Sequence, residues 1–254
     1  YLKLGQIFKD VGLKEKASDK AVEGLSRIDE VISVHLTASL DREVVEEAFS
    51  VKWDLLLVQG KLREAIVVCR TLMRLFPDSS LVDHALFKIA EARMQAEDYH
   101  EAMRIFHEIT RLDGSELGPA AQFRIAEVHE ALAARTPYES AKKQALARAL
   151  QAYHKCSESY PDSPQAGEAL EWTAQYYIDT RDYARAIELM ERVFQDYEDA
   201  AFLPKMLLKW VAAAYLMGDY DMARDKAQQL MTQYPKMATQ AKKYLQIIER
   251  RAGG

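Results

Sequence analysis

Apolar and polar residues alternate along this chain with helical spacing, and one short pattern punctuates them. A glycine or acidic residue is followed by an often aromatic position, two spacer residues and an alanine. It occurs at Gly60–Ala65, Glu97–Ala102, Arg181–Ala186 and Gly218–Ala223. Twelve positions past the alanine a proline often stands: Pro77 after Ala65, Pro161 after Ala149 and Pro235 after Ala223. The residue before each proline is aromatic, Phe76, Tyr160 and Tyr234. The spacing predicts pairs of antiparallel helices. The glycine or acidic residue ends one helix and caps the next. Alanine marks the closest approach of the pair, where a larger side chain would wedge it apart, and proline opens the link onward because it cannot continue a helix.

With the alanine as the twentieth position, the units fall at 46–79, 83–116, 119–164, 167–200 and 204–237. Gly5, Phe8, Gly12 and Ala17 match a further unit at 1–37, with Tyr1 already inside a helix and no initiator methionine. The expectation is a fragment of a longer protein with further repeats upstream. A last helix over 238–251 carries Ala241, Tyr244, Leu245 and Ile248 on one face and Lys242, Lys243, Arg250 and Arg251 mostly on the other. That is the amphipathic cover an open repeat end needs. In the unit at 119–164 the alanine comes 23 positions after Ala126 (149 − 126), where the others show 12, so eleven residues are inserted over 135–145. They include Thr136-Pro137-Tyr138-Glu139, a capping box with proline at the first helical position. This predicts a helix from Pro137 to Ser159, about 34 Å long, whose extra turns stand proud. It serves either as a plain hairpin extension or as a docking spur around Pro137 and Tyr138.

The period of 34 residues, the alanine and the proline resemble the tetratricopeptide repeat, over the whole chain and in phase for five of six units. The resemblance implies an all-α fold, a right-handed α-solenoid of about six helix–turn–helix repeats with a C-terminal capping helix. It also implies a surface that holds another protein. In such solenoids the second, fifth, ninth, twelfth and thirteenth positions of the first helices line the concave face. Carried over, these are His84, Phe87, Glu91, Met94 and Gln95, then Ala120, Phe123, Glu127, Glu130 and Ala131. The next two repeats supply Glu168, Glu171, Gln175, Ile178 and Asp179, then Lys205, Leu208, Ala212, Tyr215 and Leu216. An aromatic and acidic groove suits a protein or peptide ligand with an apolar anchor and basic flanks. The phenylalanines serve as anchors or pack between repeats, and the carboxylates steer a partner or are only solvated. Chaperone-binding members grip a C-terminal carboxylate with lysines, an arginine and asparagines. This chain has no asparagine and places carboxylates where those cations would stand.

Composition narrows the classes. The chain has 254 residues, is 49% hydrophobic and carries a formal net charge of −5, so it offers no basic field for nucleic acid. No apolar run approaches the ~20 residues of a membrane span. Cys69 and Cys156 fall in second helices of different repeats and read as packing residues rather than a disulfide framework. The absence of asparagine excludes N-linked glycosylation. Six histidines show no metal-binding spacing; His100 and His107 are seven apart and could share an exposed face. No nucleophile elbow, phosphate-cradling loop or dinucleotide fingerprint occurs. The expectation is a protein that is not an enzyme and needs no cofactor or metal.

A finer resemblance rests on the junctions Phe76-Pro77-Asp78-Ser79 and Tyr160-Pro161-Asp162-Ser163-Pro164, on Ala85–Ala92, and on Tyr234-Pro235-Lys236 before a basic helix. These are similar to the bacterial cell-envelope branch of the repeat class. That branch includes the lipoprotein of the outer-membrane β-barrel assembly machinery and the periplasmic coordinator associated with Tol–Pal. It implies a periplasmic or cell-envelope scaffold. A cytoplasmic scaffold or regulator, and the repeat segment of a larger enzyme with its catalytic domain upstream, stay open as alternatives.

Overall fold

The computed structural model describes residues 14–38, 41–198 and 200–252. Among these there are twelve α-helices and no strand. They are α1 (Lys14–Ala38), α2 (Arg42–Val58), α3 (Leu62–Leu75), α4 (Val82–Gln95), α5 (Tyr99–Ile109), α6 (Gly118–Arg135), α7 (Glu139–Ser159), α8 (Pro164–Asp179), α9 (Tyr183–Asp196), α10 (Leu203–Met217), α11 (Tyr220–Gln233) and α12 (Ala238–Ala252). A single 3₁₀ turn, Pro235–Met237, precedes α12. The all-α expectation holds. Gly5, Phe8 and Gly12, on which the first expected repeat rests, lie outside the described residues.

The chain forms two compact units, residues 1–145 and 146–254, and the boundary falls inside α7. In the first unit each helix from α1 to α6 packs on its neighbour in sequence, and α2 also touches α4. In the second unit α8, α9, α10, α11 and α12 pack in the same serial way, with further contacts from α8 to α10 and from α10 to α12. Each unit is therefore a stack of helical hairpins in which first helices touch first helices.

The twentieth-position alanines explain the close hairpins. Ala65 is 1% exposed, and Ala102, Ala149, Ala186 and Ala223 are fully buried. At four turns the backbone does the same thing. Gly60, Glu97, Arg181 and Gly218 all have positive φ, at 73°, 62°, 61° and 90°. The next residue's N–H reaches back five residues each time: Lys61 to Leu56 O at 2.9 Å, Asp98 to Arg93 O at 2.9 Å, Asp182 to Tyr177 O at 2.8 Å and Asp219 to Ala214 O at 3.0 Å. This is the Schellman closure, which satisfies the last carbonyls of the first helix. Capping of the next helix by an acidic side chain, expected at every turn, is found at Asp182 (3.4 Å to Arg185 N) and Asp219 (2.9 Å to Met222 N). Asp98 makes no cap bond and instead accepts from Arg93 at 3.2 Å, and Lys61 has no acceptor to offer. The left-handed backbone, rather than the cap, is the common element of these four turns.

Two expectations about the insertion change. The helix starts at Glu139, not Pro137. Thr136 is extended at ψ 129°, as a residue before proline must tend to be, and this ends α6. Its hydroxyl accepts from Tyr138 N at 3.4 Å, and Lys142 N bonds Tyr138 O at 2.9 Å. A local hydroxyl turn thus stands where a capping box was expected. Pro137, Tyr138 and most residues from Glu139 to Arg148 are exposed, and side-chain burial along α7 begins at Ala149.

Candidate functional site

The first helices of the first unit, α2, α4 and α6, share a face on which charges alternate. Asp54 on α2 meets Lys88 on α4 at 3.3 Å, Lys88 meets Glu91 at 3.2 Å, Glu91 meets Arg124 on α6 at 3.0 Å, and Arg124 meets Glu127 at 2.6 Å. The inter-helix links follow a rule: the ninth position of one repeat accepts from the sixth position of the next. In the second unit Gln175 on α8 accepts from Lys209 on α10 at 2.7 Å by the same rule. Glu171 also pairs with Lys205 at 3.2 Å.

Electrostatics follow from this packing. Burial alone would lower Arg124, but Glu127 and Glu91 hold its guanidinium above the ordinary range. Lys88 is raised the same way: burial opposes it, and Glu91 and Asp54 prevail. Burial pushes Asp54 up, with Lys88 offsetting only part. Lys209 goes down, because burial outweighs Glu171 and Asp179. The carboxylates expected to await a basic ligand are thus present, but Glu91, Glu127 and Glu171 are already paired within the chain. Cations stand beside these carboxylates as well: Lys88 and Arg124 in the first unit and Lys209 in the second. All three stand at the sixth position, which the resemblance had not assigned to the groove.

The other expected groove residues divide. Phe87 is 8% exposed, and its ring meets Phe106 of α5 edge-on at 5.4 Å. It is part of the hairpin interior and unavailable as a surface anchor, because α5 places another ring over it. Ile178 is likewise buried. Tyr215 tilts against Tyr220 at 5.7 Å and packs with Val211, Ala214 and Ile248 of the last hairpin and α12. His84 is exposed, its Nδ1 2.9 Å from Asp83. Phe123 and Glu130 are half-buried on α6. Gln175 also donates to Asp179 at 2.8 Å. Pro137 and Tyr138 are exposed, Tyr138 at 71%.

Four expected residues do come together. Glu91, Met94, Gln95 and Ala131 line a recess of about 270 Å³ with Tyr99 and Arg124. The thioether of half-buried Met94, the ring of Tyr99 and the Ala131 methyl supply apolar wall; Arg124 and Glu91 supply a paired polar edge. Arg135 lies over the Tyr99 ring at 5.8 Å and pairs with Glu97. The recess is smaller than the ~300–1,000 Å³ of small-molecule pockets and suits one large apolar side chain. Sequence reasoning missed Tyr99 and Arg124 as site residues. The signal for Arg124 was available: a cation 33 residues after Glu91. In the second unit an aromatic run was also missed, with Trp172 4.4 Å from Tyr153 and stacked on Tyr176 at 5.4 Å.

Both cysteines are buried and neither forms a disulfide; burial pushes the Cys69 thiol up to about 12 and that of Cys156 up to about 11. Among the described residues no three His, Cys, Asp or Glu side chains converge as metal ligands, and no helix is long and apolar enough to cross a membrane.

The repeating hairpins, buried alanines and left-handed turns agree with a family match. The family model described as tetratricopeptide repeat matches residues 84–113, 120–163 and 206–236. Over those residues the chain matches the tetratricopeptide repeat, and its fold is that of a tetratricopeptide-repeat solenoid. No curated protein matches it in sequence. Its fold is similar to BtubC from P. vanneervenii, at 16% identity and a TM-score of 0.54 over 87% of this chain and 92% of that one. It is similar to a tetratricopeptide repeat protein from Parabacteroides merdae, at 16% identity and 0.52 over 82% and 73%. The apo form of RapI is a third, at 10% identity and 0.57 over 95% and 72%. At such identities the likeness is one of fold.

Proposed function

We propose that the chain is a non-catalytic scaffold that holds a segment of a partner protein on the first-helix face of its first unit. The recess at Met94, Tyr99 and Ala131 receives an apolar side chain of that segment, and the Glu91–Arg124–Glu127 ladder frames it. The observation that carries this reading is the recess itself: it is sized for one side chain, walled by a thioether and a phenol, and placed on a face rather than in the interior. Tetratricopeptide repeats generally mediate protein–protein contact, which supports the class of function. Because the ladder carboxylates are self-paired, the apolar anchor outweighs basic flanks in choosing the partner. The aromatic-Pro-Asp-Ser junctions support a place in a bacterial cell-envelope complex.

The test is capture of partners from envelope and cytosolic fractions by wild type and by Ala131→Trp, which fills the recess. The expected result is an envelope protein held by wild type and lost by the variant, with an unchanged helical signal. Equal capture by both would move the site. A second reading places the contact at the start of α7, because Tyr138 is 71% exposed beside Pro137. Tyr138→Ala in the same assay separates the two.

A further inference from the structure

Unpaired carboxylates gather elsewhere, on the second unit. The end of α7, the link after it, α8 and the end of α9 enclose a recess of about 370 Å³. Its apolar surface comes from Leu170, Leu189 and Val193, all at most 8% exposed, together with Pro161 and Tyr197. Its rim carries Glu158, Asp162, Asp196, Arg192 and His154. With His154 neutral the formal charge of that rim is −2 (one arginine against three carboxylates). Glu158 has a neighbour, His154 at 3.1 Å, but Asp162 and Asp196 enter no ion pair among the described residues. Both act on the same group: burial first, then Asp196 and Asp162, push the Tyr197 phenol up. A second recess of about 510 Å³ shares Pro161, Asp162 and Tyr197 with the first, so the depression continues past the link.

We infer that this recess binds an arginine or lysine side chain from a basic segment of a partner protein. The aliphatic stem lies on Leu170, Leu189 and Val193, and the cation sits among Asp162, Asp196 and Glu158. The occupant is a side chain on a polypeptide rather than a free amine, because exposed carboxylates each bind a cation weakly and the continuing depression gives the flanking residues a place to lie. The site is separate from the Met94 recess and does not depend on it.

The test uses the whole chain and a fluorescein-labelled peptide of alternating arginine and leucine, compared by anisotropy with a glutamine–leucine peptide of equal length. The arginine peptide should bind more tightly, and added salt should weaken it. Asp162→Asn and Asp196→Asn should each reduce affinity about threefold, with unchanged melting. Met94→Glu should leave it unaltered, so that failure here and failure of the first-helix-face reading are distinguishable. Equal binding of the two peptides, or indifference to both asparagine variants, overturns the proposal. So does loss of binding with Met94→Glu, or N-acetylargininamide competing as well as the unlabelled peptide. Self-association of the chain that vanishes in the Asp162→Asn and Asp196→Asn variants would give the recess to a second copy and overturn it too.

Discussion

Glu91 on α4 and Arg124 on α6 are 33 residues apart in the chain and 3.0 Å apart in the fold. Arg124 also holds Glu127 at 2.6 Å, so one guanidinium neutralises two carboxylates on the proposed binding face. Arg124→Ala should destabilise the first unit by about 1 kcal/mol, since the pairs are only half-buried and the partners can resolvate. Glu91→Gln alone should have a smaller effect, and the two losses should not add. A double-mutant cycle on denaturation midpoints checks this; strict additivity would mean that the pair carries no coupling.

Arg181 shares its left-handed backbone with Gly60 and Gly218 but carries a side chain that this region disfavours. Arg181 is exposed, and its N–H bonds Ile178 O at 3.0 Å through the backbone alone. Arg181→Gly should therefore raise stability by about 0.5–1 kcal/mol, the relief of strain exceeding the added unfolded-state entropy. Gly218→Ala should do the reverse. A lower midpoint for Arg181→Gly would show that the strain is negligible there.

Gly167 on α8 faces the ring of Phe202, and a Cβ there would lie 2.5 Å from Phe202 Cδ1. Phe202 in turn meets Tyr197 edge-on at 5.3 Å, so the ring is not free to swing aside. Gly167→Ala should lower stability by roughly 1–3 kcal/mol despite the better helix propensity of alanine. Thermal melting of the variant decides it. A gain in stability would mean that Phe202 relaxes easily.

Asp83 accepts from the Ser115 hydroxyl at 2.8 Å, a link between the start of one repeat and the end of it. Burial would raise this carboxyl, but Ser115 and His84 hold it below the ordinary aspartate value. A carboxyl lowered by folding stabilises the fold above its unfolded pKa and loses that contribution as pH falls through the folded one. Asp83→Asn should therefore melt below wild type at neutral pH. The difference should close as pH falls well below about 3.9. A gap that persists in acid would mean that Asp83 acts through geometry rather than charge.

Much of the fold was legible in the chain because its causes are local. A buried alanine at each hairpin crossing, a residue that can turn left-handed and an apolar stripe of helical period each leave a mark within one repeat. The capping roles were less legible. Asp98 and Asp182 occupy equivalent positions, yet only Asp182 caps its helix, because Arg93 stands within reach of Asp98. The start of α7 shifted for a similar reason, the hydroxyl of Thr136 finding Tyr138 N rather than a bond deeper in the helix.

The sequence by itself determined that this is a helical-repeat chain with tight hairpins and a lengthened helix before Ser159. Those properties follow from backbone preference and side-chain volume, which act between near neighbours. Only the tertiary structure decided which residues face out. Phe87 turned inward because α5 sets Phe106 against it. Glu91 and Glu171 lost their free charge because Arg124 and Lys205, one repeat further on, reach them. Tyr99, the first residue of a second helix, joined Met94 and Ala131 in the recess. Such outcomes depend on the register between helices a repeat apart, and packing within each unit sets that register.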